Sequence, residues 1–302
     1  MRLALIVLLM LLGLAAAQAQ SLDAVRLRVD NDFFALRFAR TPLDWDYTHG
    51  AELTLRFEGA LSWTHAGLLL PPTERLGETS HLTVGQRIYT PRLEGETPVP
   101  GERPFAGWLY VNGRVEAMTA MRVSALELEL GATGPPALGE PAQNGLHRLV
   151  GSRPREGWAN QLPFEPALAL YGEQGLRLHA PSLLGGEVEL QPRAGIGLGT
   201  LWTGAYTDGR VLYRVGATRR VGASLEGGVR GSWVLHDLFL DGTVFRESLQ
   251  AERIPLVGEA WIGAELRVAT WSGGARFVVR SRQYQAQPRA DLFGSLTLAR
   301  HF

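Results

Sequence analysis

Apolar and polar residues alternate along most of the chain after residue 20. Leu126, Leu128 and Leu130 alternate with Glu127 and Glu129, and the segment 262–268 repeats the pattern with Glu265 and Arg267 at its polar positions. A period of two indicates β-strands that have one apolar and one polar face. Charged residues at every second position suit a wet or packed lumen, while the apolar residues face lipid. The pattern therefore predicts the wall of a membrane-spanning barrel.

Turn residues divide the chain into about twelve alternating segments. These segments are 24–35, 47–58, 80–90, 104–117, 121–133, 165–178, 186–201, 204–217, 223–238, 254–268, 271–284 and 290–302. Some connections are very short, such as 118–120, whereas others are long, such as 91–103 and 134–164. Short periplasmic turns and longer outer loops are typical of outer-membrane barrels. We predict an all-β fold, a transmembrane antiparallel β-barrel of about 12 strands.

The loop 134–164 breaks the alternation. Pro141 suits the first turn of a helix, and Gln143 and His147 are four residues apart, so they share one helix face. A short helix in an extracellular loop is the prediction. Spacing alone does not distinguish a catalytic His147 from an ordinary surface histidine.

The first hairpin gathers polar groups near its loop. By alternation, Asp32 continues the polar face of Asp30, and Thr48 lies on the polar face of the following strand. We expect Asp32 and Thr48 to point the same way at the mouth of the hairpin. Asn31 falls on the lipid-facing side, so it joins them only if the strand bulges or ends there. Taken alone, the hairpin fits a lumenal charge at Asp32 as well as it fits a binding site.

The composition of the chain limits its cellular location and its possible binding partners. Residues 1–19 have a basic start, an apolar run and the small-residue sequence Ala17-Gln18-Ala19, which predicts a secretory signal peptide before a barrel of residues 20–302. The chain has no cysteine, so it forms no disulfides. Its formal charge is balanced, which argues against nucleic acid as a partner. The mature chain lacks a Gly-x-Ser-x-Gly elbow, a His-Glu-x-x-His pair and a phosphate loop.

Five separated motifs carry a resemblance to a known family. In chain order they are Asp30-Asn31-Asp32-x-Phe34, Asp46-Tyr47-Thr48-x-Gly50, Gly85-Gln86-x-x-Tyr89-Thr90-Pro91, Glu102-Arg103-Pro104-Phe105-Ala106-Gly107, and His147 with Gly157-Trp158-x-Asn160-Gln161-Leu162-x-x-Glu165-Pro166. Each motif alone is weak. Together and in this order they resemble the lipid A 3′-O-deacylase family of the bacterial outer membrane.

The resemblance implies a twelve-stranded barrel whose active site lies between the wall and a helix from an outer loop. It implies a Ca²⁺-dependent carboxylic ester hydrolase that removes the 3′ acyloxyacyl chain from lipid A, the anchor of lipopolysaccharide. His147 would activate a water molecule, Asn31 and Asp32 would hold the Ca²⁺, and Thr48 would lie beside them. An imidazole suits this task because it titrates near neutral pH, and carboxylate and amide oxygens suit Ca²⁺.

The resemblance also suggests substrate contacts. Gln143, Arg103 and Arg148 are candidates; because the chain has no lysine, arginines would have to bind the lipid A phosphates. Asp30, Trp45, His49 and Glu102 depart from the family's usual residues. We expect a monomer whose partners are lipopolysaccharide and outer-membrane lipids.

Two alternatives stay open at this point. One is an outer-membrane phospholipase or esterase that uses the same residues on another ester. The other is a non-catalytic barrel, a porin-like channel or an adhesin, which would be indifferent to removal of Ca²⁺.

Overall fold

The structure is a computed structural model that describes residues 21–35, 46–59, 75–92, 95, 97–216 and 221–302. The signal peptide expected at residues 1–19 lies outside them, so its assignment stays a prediction. No helix in the described part of the chain has the length and apolar character needed to cross a membrane.

Strands dominate the described residues. They are β1 (Leu22–Asn31), β2 (Asp46–Glu58), β3 (Gly77–Thr90), β4 (Ala106–Met118), β5 (Arg122–Thr133), β6 (Pro166–Leu176), β7 (Leu178–Leu183), β8 (Gly186–Gly199), β9 (Trp202–Val215), β10 (Val221–Asp237), β11 (Leu256–Val268), β12 (Trp271–Arg280) and β13 (Asp291–His301). Two α-helices, α1 (Gly139–Leu149) and α2 (Leu238–Asp241), lie in connections. Short 3₁₀ turns cover Asp32–Ala35, Pro135–Ala137 and Trp158–Asn160.

The strands form one closed antiparallel barrel. Strands that follow one another in the chain are paired, except that β6 pairs with β8 past the short β7, and β1 pairs with β13. Gly175 lies opposite Arg193 and Leu178 lies opposite Leu190, so β7 continues β6 in an unchanged register against β8. The barrel therefore has twelve strands plus this one extra short strand, which confirms the predicted fold. The start of β1 and the end of β13 lie at the end with the short turns; we call the opposite end the loop end.

Two strands end earlier than the alternation predicts. β1 stops at Asn31 rather than at residue 35, and β12 stops at Arg280 rather than at residue 284. After β12 the chain turns inward, where Tyr284 is fully buried and its hydroxyl lies 3.4 Å from Glu102 Oε2. Burial, and next the nearby carboxylate of Asp46, raise the pKa of Tyr284, so its hydroxyl stays a donor.

Ion pairs fill the lumen. Arg87 donates to both oxygens of Glu129 at 2.9 and 3.0 Å, and Trp108 Nε1 also donates to Glu129. Further lumenal pairs join Arg114 and Arg193 to Glu173, Arg177 to Glu189, Arg230 to Asp208, and Arg280 to Glu259. The alternate positions carry exposed apolar residues, among them Leu27, Leu53, Leu225, Ile262 and Leu298. The predicted division into a polar lumen and an apolar outer belt is confirmed.

Helix α2 closes the loop end of the lumen. It follows β10, and Asp237 caps it by accepting a hydrogen bond from the backbone N–H of Phe239 at 2.9 Å. The Phe239 ring stacks on Tyr89 of β3 at a centroid distance of 4.4 Å. In the strand order β3 and β10 lie on opposite sides of the barrel. The contact therefore spans the lumen.

The Glu129 carboxylate gives a stability prediction. Glu129→Gln removes the nearer of the two carboxylates that compensate Arg87, since Glu52 lies 3.9 Å away. We expect a loss of about 3 kcal/mol, the low end for breaking a buried ion pair, because Arg87 keeps Glu52 as a partner and part of its surface stays exposed. The urea midpoint of the barrel folded in vesicles measures it. Glu265→Gln is the control, because Glu265 also belongs to the barrel's polar set and has no ion pair among the described residues. Equal midpoints for the two variants would contradict the prediction.

Candidate active site

A β-bulge in β2 changes which side chains face outward at the loop end. Tyr47 pairs with Tyr89, but His49 pairs with Ile88, so one residue is extra in β2. Tyr47 turns into the lumen, where its hydroxyl donates to Asp30 Oδ2 at 2.8 Å. Gly50 makes room for this ring, since a Cβ there would collide with the Tyr47 hydroxyl. The second motif, Asp46-Tyr47-Thr48-x-Gly50, therefore coincides with the β-bulge.

The bulge corrects one prediction made from alternation. Thr48 Oγ1 lies 2.7 Å from Thr90 Oγ1, and Thr90 alternates with the lumen-facing Tyr89, so the two hydroxyls meet on the outer face of the wall. Asp32 begins a 3₁₀ turn after β1 and is not part of the strand. Thr48 therefore does not lie on the lumenal strand face that alternation predicts, because the bulge turns it outward, and Asp32 lies beyond the end of β1.

Asn31 and Thr48 come together on that outer face. Asn31 Nδ2 donates to the backbone carbonyl of Thr48 at 3.1 Å. Its strand partners place it in a row of paired residues that crosses five neighbouring strands; the row consists of Gly107, Ile88, His49, Asn31 and Gly294. The lipid-facing parity of Asn31 is thus retained, and the candidate site is on the lipid side of the wall.

Protein covers both ends of this row. A Cβ on Gly107 would lie 3.0 Å from the backbone of Gly139, the first residue of α1, so helix and wall approach closely there. At the other end, a Cβ on Gly294 would lie 2.6 Å from the Cβ of Phe34 in the 3₁₀ turn. Between these two contacts, His49 and Asn31 keep part of their surface exposed on the outer face of the wall. We call this region the wall cleft.

Buried hydrogen bonds fix α1 on the wall. Gln86 Nε2 donates to the Ala137 carbonyl at 2.6 Å just before the helix, and Trp158 Nε1 donates to Gln143 Oε1 at 2.9 Å. Trp158 also packs with Ile88 and Phe105 in a buried cluster under the helix. Gln143 is 3% exposed, so its side chain supports the helix from inside. This placement makes Gln143 a positioning residue.

The backbone of the returning loop orients His147. His147 Nδ1 lies 2.7 Å from the carbonyl oxygen of Arg153. A carbonyl only accepts, so Nδ1 carries the hydrogen, and a neutral form of this ring would have its lone pair on Nε2. The Asn144 side chain holds the same segment, accepting from Arg155 N at 2.7 Å and donating to Arg155 O at 3.2 Å. Such an arrangement suits a general base whose second nitrogen is held in place.

The direction of α1 relates His147 to the row. The helix begins over Gly107 of β4, and Ala142 packs on the cluster that contains Ile88 of β3. Five more residues advance the helix by about 7 Å, and strands lie about 4.8 Å apart. The helix therefore contacts β4 and β3, and β3 is the neighbour of β2, the strand that carries Thr48.

The two candidate arginines lie in different surroundings. Arg103 is 1% exposed, its guanidinium lies 3.5 Å from Asp46 Oδ1, and it covers the Tyr89 ring at 4.6 Å. Because Tyr89 faces the lumen, Arg103 joins a loop to the lumenal side of β2. Arg148 is exposed on α1, next to His147. Only Arg148 is placed to meet a lipid beside the barrel.

The donor set at the end of β1 fits a hard cation. Asp32 offers a carboxylate, Asn31 an amide oxygen and Thr48 a hydroxyl and a carbonyl, and oxygen is the ligand atom that Ca²⁺ takes. Among the described residues, no group of three or more His, Asp or Glu side chains is arranged so that it could hold a metal ion by itself. A cation held here would have few protein ligands and would keep water in its shell.

Three residues that the sequence did not single out belong to the cleft region. Thr90 bonds to Thr48, His49 is the strand partner of Asn31, and Trp158 holds Gln143. Thr90 and Trp158 belong to the motifs quoted above, and this membership was the sequence signal that could have identified them. Their contacts join residues far apart in the chain, so no spacing rule finds them.

Fold and site define a class of protein, a β-barrel membrane protein with a polar cleft on the outer face of its wall. The chain belongs to the family described as "Outer membrane protein LpxR", whose model matches residues 3–302. Its place is accordingly the bacterial outer membrane, and the family resemblance seen in the motifs is confirmed.

One solved structure has the same barrel fold. LpxR from Salmonella typhimurium matches with a TM-score of 0.77 at 18% identity, over 92% of this chain and 100% of that one. The translocator domain of the autotransporter NalP from Neisseria meningitidis matches with a TM-score of 0.45 at 8% identity, over 94% and 88% of the two chains. Among curated protein sequences no match was found.

The close approach at Gly107 gives a prediction. Gly107→Val places a side chain against Gly139 and should loosen α1 by about 1–3 kcal/mol, the usual cost of overpacking. Tryptic cleavage after Arg148 should then be about tenfold faster than in the unaltered protein. Gly113→Val is the matched control, because Gly113 lies on the same strand and outer face with no atom near its Cβ position. Equal cleavage rates would show that the helix does not rest on Gly107.

Proposed function

We propose that the protein is a Ca²⁺-dependent lipid A deacylase, a carboxylic ester hydrolase that removes the 3′ acyloxyacyl chain from lipid A. The observation that carries the proposal is the wall cleft. It lies on the lipid side of the barrel, between the Asn31–Thr48 pair and a helix that bears an oriented imidazole. An ester in a membrane lipid can reach such a cleft without leaving the bilayer.

His147 acts as general base in this mechanism. Its Nε2 takes a proton from a water molecule as the oxygen of that water adds to the ester carbonyl carbon. The Arg153 carbonyl, bonded to Nδ1, holds the ring in place and stabilises the imidazolium that forms. When the tetrahedral intermediate collapses, the ester C–O bond to the sugar breaks and the leaving alkoxide takes the proton from His147. No acyl-enzyme is formed.

Asn31 and Asp32 would hold the cation, with Thr48 beside them. A bound Ca²⁺ would supply a fixed positive charge for the oxygen that becomes negative during water attack. Asn31 Nδ2 is held by the Thr48 carbonyl, which turns the amide oxygen the other way. Thr90 fixes the Thr48 hydroxyl from the neighbouring strand. These bonds hold the ligand set before substrate arrives.

Two further residues have proposed roles around the substrate. Arg148 binds a lipid A phosphate, which its exposed guanidinium can meet in bidentate geometry. Gln143 positions α1 through Trp158. Arg103 is left out of the substrate contacts because of its burial against Asp46. We propose a monomer, since the cleft takes all its residues from one chain.

The plugged lumen argues against the non-catalytic alternative of an open pore. The stack of Phe239 on Tyr89 crosses the loop end, and ion pairs line the space below it. Two lumenal cavities have volumes of about 420 and 450 Å³. A porin-like channel has no use for a helix held on the outside of its wall.

Loss of the base should stop the reaction. When the protein is made in cells with intact lipid A, mass spectrometry should show lipid A that has lost the 3′ acyl pair. His147→Ala should reduce this conversion by about 10²–10⁴-fold, the usual contribution of a general base. His179→Ala is the control, because His179 is exposed at the other end of the barrel on β7.

A chelator separates the alternatives. Removal of Ca²⁺ from purified protein should stop hydrolysis of lipid A, and added Ca²⁺ should restore it. Full activity of His147→Ala on lipid A would refute the mechanism. Hydrolysis of phospholipid rather than lipid A would favour the esterase alternative, and ion conductance without hydrolysis would favour the channel.

A pair of threonine variants tests the ligand set. Thr90→Val removes the hydrogen bond to Thr48 and should lower kcat about tenfold, which corresponds to a typical net hydrogen bond of about 1 kcal/mol or slightly more. Thr83→Val is matched, because Thr83 bonds Thr54 across the same two strands at 2.9 Å but in the lumen. Its activity should be unchanged. If both variants lose activity alike, strand stability rather than the cleft explains the effect.

A further inference from the structure

Helix α1 rests on the lipid side of the barrel, at the upper edge of the apolar belt. Ile88 belongs to the outward-facing set, yet α1 and its neighbours bury it completely. Below the row, Leu27 and Leu53 are paired with each other and are 47% and 48% exposed. They lie four residues from Asn31 and His49, about 13 Å along the strands. The helix is therefore next to the belt rather than above the lumen.

The far end of α1 exposes apolar side chains. Leu149 is 82% exposed and Val150 is 64% exposed, although both lie at the end of a helix that packs on the wall. Neither joins the buried cluster beneath the helix. Two large aliphatic residues that are this exposed, beside the apolar belt of the barrel, indicate a surface that contacts a nonpolar environment.

Positive charge surrounds this exposed pair. Arg148 and Arg153 are exposed on either side of it, and the segment 141–155, bordered by Glu140 and Glu156, contains three arginines and no acidic residue. Aliphatic residues flanked by arginines are typical of segments that lie in a membrane interface. The arginines match the phosphate groups found at that depth.

We propose that the tip formed by Arg148, Leu149, Val150 and Arg153 docks into the outer leaflet of the membrane. Leu149 and Val150 enter the boundary between headgroups and acyl chains, and the two arginines bind lipid phosphates. The loop end is the extracellular end by the asymmetry of outer-membrane barrels. The partner is thus the anionic lipid that surrounds the barrel, and it holds the free end of α1.

The absence of cysteine permits a direct test. Leu149→Cys in the full-length barrel gives a single site for a nitroxide label. In vesicles of phosphatidylcholine and phosphatidylglycerol, electron paramagnetic resonance compares collisions with oxygen, which enters lipid, and with a nickel chelate, which stays in water. Ile262→Cys, 66% exposed in the belt, is the lipid control, and Glu247→Cys, exposed in a loop at the loop end, is the water control.

Docking predicts an oxygen-to-nickel collision ratio at residue 149 several-fold above that at residue 247. A ratio equal to the one at residue 247 overturns the proposal. A ratio that is low in vesicles and unchanged in detergent micelles, with label motion frozen, would instead indicate a protein partner, and also overturns it. Hydrolysis is not measured, so this outcome is distinguishable from a failure of the proposed deacylase.

A double variant tests the proposed role of the two arginines separately. With both arginines present, the collision ratio at residue 149 should rise when phosphatidylglycerol replaces phosphatidylcholine. In the Leu149→Cys background, the double change Arg148→Gln and Arg153→Gln should lower the ratio and remove this rise. The backbone carbonyl of Arg153, which orients His147, stays in place. A ratio that keeps its dependence on anionic lipid in this variant would overturn the role of the two arginines.

Discussion

A polar group on the lipid-facing side of a membrane barrel finds no water to bond with, so protein must cover it and supply its hydrogen bonds. Asn31, Thr48 and Thr90 are such groups, and they satisfy one another through the bonds from Asn31 to the Thr48 carbonyl and between the two hydroxyls. Helix α1 and the 3₁₀ turn after β1 cover the two ends of the row. The same constraint that demands a cover creates a cleft at the edge of the membrane.

Three glycines, two of them in the quoted motifs, follow from that arrangement. Gly107 lets the backbone of α1 reach the wall, Gly294 lets Phe34 reach it, and Gly50 leaves space for the Tyr47 ring inside the bulge. Each removes a side chain at a point of close approach, where any Cβ would push two elements apart. The width of the wall cleft is set by these contacts rather than by the residues that would do the chemistry.

Alternation predicts the barrel well because lipid outside and ions inside impose it on every strand. It fails where a different contact decides the local structure. β1 ends at Asn31 and β2 bulges at Thr48, yet neither Asp32 nor Thr48 breaks the written pattern of polar positions. β12 ends early because Tyr284 finds Glu102, a partner 182 residues away. Contacts of that separation leave no mark on local periodicity.

The candidate site shows the same division. Motifs named Asn31, Asp32, Thr48 and His147, but spacing gave no reason to exclude Arg103, whose partner Asp46 lies 57 residues away. Nor did spacing reveal that the cleft faces lipid, which follows only from the bulge and from Ile88 beneath α1.

The lipid-facing orientation of the cleft has a consequence for the proposed reaction. A lipid ester beside the wall lies at the depth of the cleft already, so lateral diffusion delivers it. The filled lumen then serves to keep the wall rigid, because a wall that flexed at β1 and β2 would separate Asn31 from Thr48.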